Sequence, residues 1–179
     1  KFGTIILPMG CGKTFVLSQC IKLRPKLKYL FLAHKQELVS QAVETLKEEL
    51  PKTFNISSEI AKSKGKMESN VIVASVQTSI KDRQHLKGWV PDVVIIDEFH
   101  HYSEDNIQYK NISKRWPKAK IVGASATLWR NDEMPIPTGK ILYHMDIITA
   151  IEQGYLVEPT FESVSAFSME SIKQMRLSS

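Results

Sequence analysis

The chain has 179 residues, a net charge of +5, 42% hydrophobic residues and 24% charged residues, a composition typical of one folded domain. This excludes a disordered or fibrous chain, and two cysteines are too few for a disulfide framework, a four-cysteine zinc site or an iron–sulfur cluster. No apolar run approaches the roughly 18 residues that cross a membrane, and a signal-peptide pattern is lacking, so we expect an intracellular protein without a membrane partner.

Five short apolar runs predict the strands of a parallel sheet. They lie at 5–7, 29–32, 71–73, 93–96 and 121–122. The runs are rich in β-branched residues and do not alternate with polar ones, as is typical of strands covered on both faces. Helical segments lie between them, the clearest at 36–50, where apolar residues recur every three or four positions. We therefore predict an α/β fold with a mostly parallel sheet and helices on both faces.

A glycine-rich turn directly follows the first predicted strand, and a stretch from 15 to 22 that suits a helix follows the turn. The candidate nucleotide-binding residues of the turn are Met9, Gly10, Cys11, Gly12, Lys13 and Thr14. Glycines allow successive backbone N–H groups to surround an anion, and a helix N-terminus adds partial positive charge. In such a phosphate-binding loop, Lys13 would contact the β- and γ-phosphates and Thr14 would offer a hydroxyl group to Mg²⁺. The alternative is a turn that binds nothing, since Leu7 stands where the usual eight-residue pattern begins with glycine.

Two adjacent carboxylates, Asp97 and Glu98, follow the apolar run at 93–96. They should emerge at the carboxyl end of a central strand, where open α/β sheets bind ligands and where the glycine-rich turn must also lie. One carboxylate of such a pair holds Mg²⁺, commonly through a water, while its neighbour orients and deprotonates the water that attacks the γ-phosphate. We assign Asp97 to the metal and Glu98 to the water. Taken alone, the pair would also suit the first turn of a helix, where acidic side chains are favourable.

The motifs and their order resemble the first RecA-like domain of superfamily 2 helicases. Residues 97–100, Asp-Glu-Phe-His, are similar to the DEAD/DEAH box, residues 32–38 to motif Ia, residues 73–78 to the Thr-x-x-Gln stretch, and residues 123–132 to motif III. Residues 146–156 are similar to the end of this domain in the branch with type I and III restriction motor subunits, XPB-type repair helicases and small organellar helicases. The resemblance covers nearly the whole chain and implies a RecA-like P-loop NTPase fold that uses ATP and Mg²⁺.

The resemblance also implies roles for two further groups of residues. The group that would face the backbone of a bound nucleic-acid strand is His34, Lys35, Ser75, Gln77 and Thr78. The group that would link the nucleotide site to that face, through hydrogen bonds to the box, is His100, Ser125, Ala126 and Thr127. The alternatives are structural: a histidine at a strand end, a helix cap at 77–78, and hydroxyl groups without a special role after a strand. We interpret His101 as a surface histidine.

A domain organisation and a function follow from the same resemblance. Residues 1–157 would form the ATP-binding domain, and the serine-rich segment 158–179 would be a linker toward a second RecA-like domain, which supplies an arginine to the γ-phosphate. The family's adenine-contacting segment would precede residue 1. The complete protein would couple Mg-ATP hydrolysis to movement on DNA, or on RNA as the alternative, and this chain alone would be weakly active or inactive. A scaffold that binds nucleotide and nucleic acid without hydrolysis is the alternative from another class.

Overall fold

A computed structural model describes residues 2–60, 63–79, 84–101, 107–129, 134–136 and 139–160. In this part of the chain the strands are β1 (Phe2–Ile6), β2 (Tyr29–Ala33), β3 (Ile56–Glu59), β4 (Val71–Ser75), β5 (Val93–Ile96), β6 (Lys120–Ser125) and β7 (Lys140–His144). The helices are α1 (Lys13–Lys22), α2 (Gln36–Glu49), α3 (Val76–Ser79), α4 (Ile107–Arg115) and α5 (Ile147–Glu152). Single 3₁₀ turns lie at Gln84–Leu86 and Phe99–His101. None of the described helices has the length and apolar character that a membrane span requires.

The strands form one sheet in the order β3-β4-β2-β5-β6-β1-β7, and each of its neighbouring pairs is parallel. The predicted parallel sheet is therefore confirmed, with β5 at its centre. Because all strands run the same way, their carboxyl ends share one edge. At that edge Ile6 of β1 is in register with Ser125 of β6, and Ile96 of β5 is in register with Gly123 of β6. The segments that follow β1, β5 and β6 must therefore leave the sheet side by side.

Both faces of the inner strands of the sheet are covered, as the unalternated apolar runs predicted, while the edge strand β7 is exposed along its length. Alternate residues of β2 show this, since Phe31 packs in one hydrophobic cluster while Leu30 and Leu32 pack in the other. The first cluster includes residues of α1, α2 and α5, and the second includes Trp89, Phe99 and a residue of α4. Burial of apolar side chains on both faces is the main stabilising contribution that such a sheet receives.

The boundaries and elements that differ from the predictions have local causes. The helix predicted at 36–50 ends at Glu49, since Leu50 is extended (φ −92°, ψ 142°) and precedes Pro51, and a residue before proline disfavours the α conformation. Strand β3 was not predicted because its sequence, Ile-Ser-Ser-Glu, has one apolar residue and lies at the sheet edge. Strand β7 was also missed, although its apolar run at 141–143 resembles those of the predicted strands. Residues 158–160 have no regular structure, and the rest of the expected linker lies outside the described residues.

Gly123 of β6 provides the space in which Phe99 packs beneath the turn that follows β5. A Cβ atom at this position would lie 2.5 Å from Cγ of Phe99, whose side chain is fully buried and also contacts the ring of Phe2 at 5.0 Å. We expect Gly123→Ala to lower the free energy of unfolding by about 1–3 kcal/mol, because a fixed aromatic ring would have to move within a packed core. Denaturant unfolding of wild type and variant measures this loss.

The matched control is Gly3→Ala in the adjacent strand β1. Its added Cβ would lie 2.8 Å from Cγ of Leu142, but that side chain is half exposed and can move toward solvent. We therefore expect a clearly smaller loss of stability for Gly3→Ala. Equal stability of Gly123→Ala and wild type would contradict the packing of Phe99 against β6.

Candidate nucleotide and nucleic-acid site

The glycine-rich turn joins β1 to α1 in the conformation that an anion-binding loop requires. Gly10 and Gly12 have positive φ angles of 85° and 68°, which other residues adopt only with strain. Gly12 is the N-cap of α1, so no side chain caps the helix, and the chain turns directly from β1 into Lys13. The ten-residue helix thus presents its N-terminus to solvent, beside the exposed residues Met9 and Gly10. Backbone N–H groups in this arrangement attract phosphate.

The acidic pair lies where β5 ends, and its backbone is unusual. Asp97 N–H donates to the Leu32 carbonyl oxygen of β2 (2.9 Å), and Asp97 Oδ1 accepts from the Glu98 N–H (2.9 Å). Among the described residues, Glu98 is the one non-glycine with a positive φ angle, at 50°. A conformation of this kind costs about 1 kcal/mol or more, and such residues are found disproportionately at functional sites. The turn therefore holds Glu98 in a defined but strained position.

Burial raises the pKa of Asp97, and the neighbouring Glu98 carboxylate raises it further. The hydrogen bond from the Glu98 N–H and the positive charge of Lys13 oppose this effect. A carboxylate in this environment is poorly solvated and gains from an added positive charge. The surroundings of Asp97 therefore favour a cation.

The glycine-rich turn and the acidic pair meet at the same edge of the sheet. Lys13 Nζ lies 3.8 Å from Glu98 Oε1, and both side chains are largely withdrawn from solvent. Strands β1 and β5 flank β6, which explains why Lys13 and Glu98, 85 residues apart in the sequence, come together. The arrangement places one cation, two carboxylates and a set of turn N–H groups around a common space.

The segment after β6 lies between these two groups, and its hydroxyl groups are used within the segment itself. Ser125 Oγ donates to the Thr127 carbonyl oxygen (2.8 Å) and accepts from the Thr127 N–H (3.3 Å). Thr127 Oγ1 accepts from the Trp129 N–H (3.0 Å), and Ala126 lies within the same turn. Among the described residues, neither hydroxyl group bonds to His100. The structure thus brings residues 125–127 to the site without the expected hydrogen bonds to the box.

The predicted nucleic-acid residues follow the two neighbouring strands β2 and β4. Ala33 is in register with Ser75, so both ends lie at the same edge as the nucleotide site. Ser75 and Thr78 are buried, and their hydroxyl oxygens lie 2.8 Å apart, while Ser75 Oγ accepts from the Thr78 N–H. This pair caps α3, which matches the structural alternative for Thr78.

The exposed members of the nucleic-acid group are His34, Lys35 and Gln77. The first two lie at the end of β2 and directly before α2, while Gln77 lies on α3. Lys35 carries a positive charge, and the other two side chains are polar, which suits contacts with phosphate oxygens. These three are therefore the members of the predicted group whose side chains lie at the surface.

His101 is a residue whose position the sequence did not reveal. Its ring stacks on that of His34, with centroids 4.3 Å apart and planes at 22°, and lies 4.2 Å from the ring of His100. His100 Nδ1 in turn lies 3.2 Å from Glu98 Oε2. The pKa of His101 is lowered by partial burial and by His100, and the pKa of His34 is lowered by partial burial and by His101. Both rings are therefore predominantly neutral at pH 7. The available signal was the pair of histidines that follows the acidic pair after one intervening residue, Phe99.

Most of the chain matches the sequence pattern of one known protein family. The family described as "Type III restriction enzyme, res subunit", or ResIII, matches residues 1–130. This match includes the glycine-rich turn, the acidic pair and the segment after β6.

Two similar proteins come from yeasts. IRC3 of Saccharomyces cerevisiae, which carries the name of an ATP-dependent helicase, is 34% identical over 176 residues, covering 89% of this chain and 25% of that protein. Irc3 of Schizosaccharomyces pombe, named as a mitochondrial ATP-dependent helicase, is 30% identical over 169 residues, covering 87% of this chain and 27% of that protein. The chain thus spans about a quarter of the length of these relatives.

A solved structure shares the fold. The Hef helicase domain of Pyrococcus furiosus aligns with a TM-score of 0.61 and 24% identity, over 80% of this chain and 34% of that one. Together with the parallel sheet order, this likeness confirms the predicted RecA-like α/β fold.

Proposed function

Because the chain belongs to the ResIII family of type III restriction enzyme res subunits, we propose that it is the ATP-binding half of a nucleic-acid-dependent ATPase motor. Membership in this family confirms the resemblance to superfamily 2 helicases that the motifs indicated. The observation that supports the proposed activity best is the approach of Lys13 Nζ to Glu98 Oε1, at 3.8 Å, beside a turn with two left-handed glycines. The names of the yeast relatives, both ATP-dependent helicases, agree with this proposal.

In this proposal the nucleotide site divides its work among four side chains. Lys13 and the N–H groups of the turn bind the β- and γ-phosphates of ATP, which requires Lys13 to exchange its contact with Glu98 for the phosphates. Thr14 and Asp97 fit Mg²⁺, because a hydroxyl group and a carboxylate both supply the oxygen ligands that this ion prefers. Asp97 also lies where an added positive charge is favourable, and it would hold the ion through a water molecule. The ion, when bound, neutralises charge on the phosphates.

Glu98 orients and deprotonates the attacking water. Its carboxylate lies beside Lys13, which places it close to the γ-phosphate of a nucleotide held by that lysine. The left-handed backbone at Glu98 places the residue at the mouth of the site. His100 Nδ1 lies 3.2 Å from the other carboxylate oxygen, close enough to orient it once the two groups align for a hydrogen bond.

We propose DNA as the nucleic acid, because the chain belongs to a family named for a restriction enzyme. RNA is the alternative. The exposed His34, Lys35 and Gln77 would contact the phosphate backbone of the bound strand, at the edge that also carries the nucleotide site. Ser75 and Thr78 would support this surface through the cap that they form on α3.

The domain organisation is also a proposal. Residues 1–157 form the ATP-binding domain, and 158–179 lead toward a second RecA-like domain, whose arginine would complete the site and contribute roughly 10³- to 10⁵-fold to the rate. The short coverage of the relatives, about a quarter of their length, supports further domains in the complete protein. An intracellular location is proposed as well, and the mitochondrial name of the fission yeast relative agrees with it.

The decisive experiment measures ATP hydrolysis by the complete protein without nucleic acid and with single-stranded DNA, duplex DNA or RNA. We expect DNA to stimulate hydrolysis. Stronger stimulation by RNA would select the alternative substrate, and binding of ATP and DNA without hydrolysis would identify a scaffold and contradict the motor.

A charged contact to the phosphate backbone predicts a particular salt dependence. We expect Lys35→Ala to weaken DNA binding about equally for all sequences and to reduce the slope of log K against log salt concentration by about 1. Fluorescence anisotropy at several salt concentrations measures the slope. The control is Lys47→Ala, an exposed lysine in the last turn of α2, which should leave the slope unchanged. A wild-type slope for Lys35→Ala would remove this residue from the interface.

A further inference from the structure

Three histidine rings form a continuous path between the nucleic-acid face and the hydrolytic carboxylate. The ring centroids of His34 and His101 lie 4.3 Å apart, and those of His101 and His100 lie 4.2 Å apart. His100 Nδ1 in turn lies 3.2 Å from Glu98 Oε2. The first ring belongs to the loop after β2, and the other two belong to the turn after β5. These strands are neighbours, with Leu32 in register with Ile96, so both segments leave the sheet together.

The carboxylate at the end of this path makes no hydrogen bond to either of the side chains that approach it. Glu98 Oε2 and His100 Nδ1 are close, but the angles between them do not suit a hydrogen bond, and neither atom has another hydrogen-bond partner among the described residues. Lys13, at 3.8 Å, is also beyond hydrogen-bond distance of the other oxygen. A small rotation of the His100 ring would therefore complete a hydrogen bond to Glu98. Coupling between sites requires two discrete arrangements, and the bonded and unbonded forms of this pair would supply them.

The geometry points to His101 as a positioning residue that couples DNA contact at His34 to the orientation of Glu98. This inference rests on the proposed function and deepens it. A DNA strand that displaces or orders the His34 ring would shift the His101 ring that stacks on it. His101 would transmit this shift to His100 and hence to the carboxylate of Glu98. His101 itself touches neither nucleotide nor DNA in this arrangement.

The charges around the stack are consistent with a contact between neutral rings. The charged and titratable groups that face His101 are His34 and Lys35 from the loop after β2, and Glu98 and His100 from its own turn. Partial burial, His100 and Lys35 lower the pKa of His101, while Glu98 raises it, and the net effect is a lowered pKa. Stacked neutral rings attract each other, and the loss of one such contact changes the equilibrium constant between the stacked and unstacked arrangements by about 2- to 10-fold. A coupling of that size is measurable.

The test compares His101→Ala and His101→Phe with wild type in the complete protein, measuring ATP hydrolysis with and without DNA and, separately, DNA affinity. We expect His101→Ala to lower the stimulation by DNA about 3- to 10-fold, with hydrolysis in the absence of DNA and DNA affinity close to wild type. His101→Phe keeps a ring that can stack and should recover most of the stimulation.

A spectroscopic readout separates coupling from a general loss of structure. Since His101 lowers the pKa of His34, its replacement by alanine should raise the His34 pKa toward the ordinary value, as followed by NMR titration of the imidazole protons. The same titration shows whether the variant is folded.

The possible results are distinguishable. Unchanged stimulation in His101→Ala, an equal loss of stimulation in His101→Phe, or an equal fall of hydrolysis with and without DNA would each overturn the coupling role. Wild-type protein that DNA does not stimulate would overturn the proposed function instead.

Discussion

Replacement of Glu98 by glutamine in the complete protein is expected to lower kcat for DNA-stimulated ATP hydrolysis by about 10²- to 10⁴-fold, the usual contribution of a positioned general base. Glutamine has nearly the same shape as glutamate, but its neutral amide cannot accept the proton of the attacking water. Binding of ATP should be preserved, because the substitution removes a negative charge that faces Lys13 at 3.8 Å and adds none beside the phosphates. Steady-state kinetics and calorimetric titration with ATP measure the two quantities separately.

The control for this variant is Glu48→Gln, the same chemical change at an exposed position of α2. It should leave kcat and ATP affinity as in wild type. Normal hydrolysis by Glu98→Gln would show that another group activates the water. A loss of ATP affinity as large as the loss of kcat would instead assign Glu98 to nucleotide binding.

Most of the sheet could be predicted because parallel strands buried on both faces leave a simple pattern in the sequence. The strands β2, β4, β5 and β6 each contain one of the five predicted apolar runs, and β1 contains all but the last residue of the run at 5–7. The two missed strands lie at the edges of the sheet, where burial places fewer demands on the sequence. Their pairing depends on neighbours that no local pattern specifies.

More of the geometry of the nucleotide site than of the nucleic-acid face could be predicted from the sequence. The turn that leads to Lys13 and the acidic pair with Glu98 each follow a parallel strand directly, so the fold class alone places them at one edge. The stack of His34 on His101, by contrast, requires β2 and β5 to be neighbours, and sequence order does not reveal that pairing. Likewise, Ser75 and Thr78 carry the same hydroxyl groups whether they face solvent or cap a helix, and only the folded structure distinguishes these cases.

Replacement of Lys13 by alanine is expected to have the largest effect on nucleotide binding, with a loss of ATP affinity of about 10²-fold or more. The change removes the cation that would contact the β- and γ-phosphates. It also leaves the carboxylates of Asp97 and Glu98 without the positive charge that now faces them, so a triphosphate would approach two uncompensated negative charges. Calorimetric titration with ATP in the presence of Mg²⁺ measures the loss.

The matched control is Lys22→Ala, because Lys22 is an exposed lysine in the last turn of the same helix α1. It changes the net charge of the protein equally but lies at the helix end opposite to the glycine-rich turn. Its ATP affinity should therefore equal that of wild type, since exposed charges more than a Debye length apart, about 8–10 Å at moderate salt, interact weakly. If Lys13→Ala bound ATP as tightly as Lys22→Ala, the turn at Gly10 and Gly12 could not be the phosphate site, whatever its backbone geometry suggests.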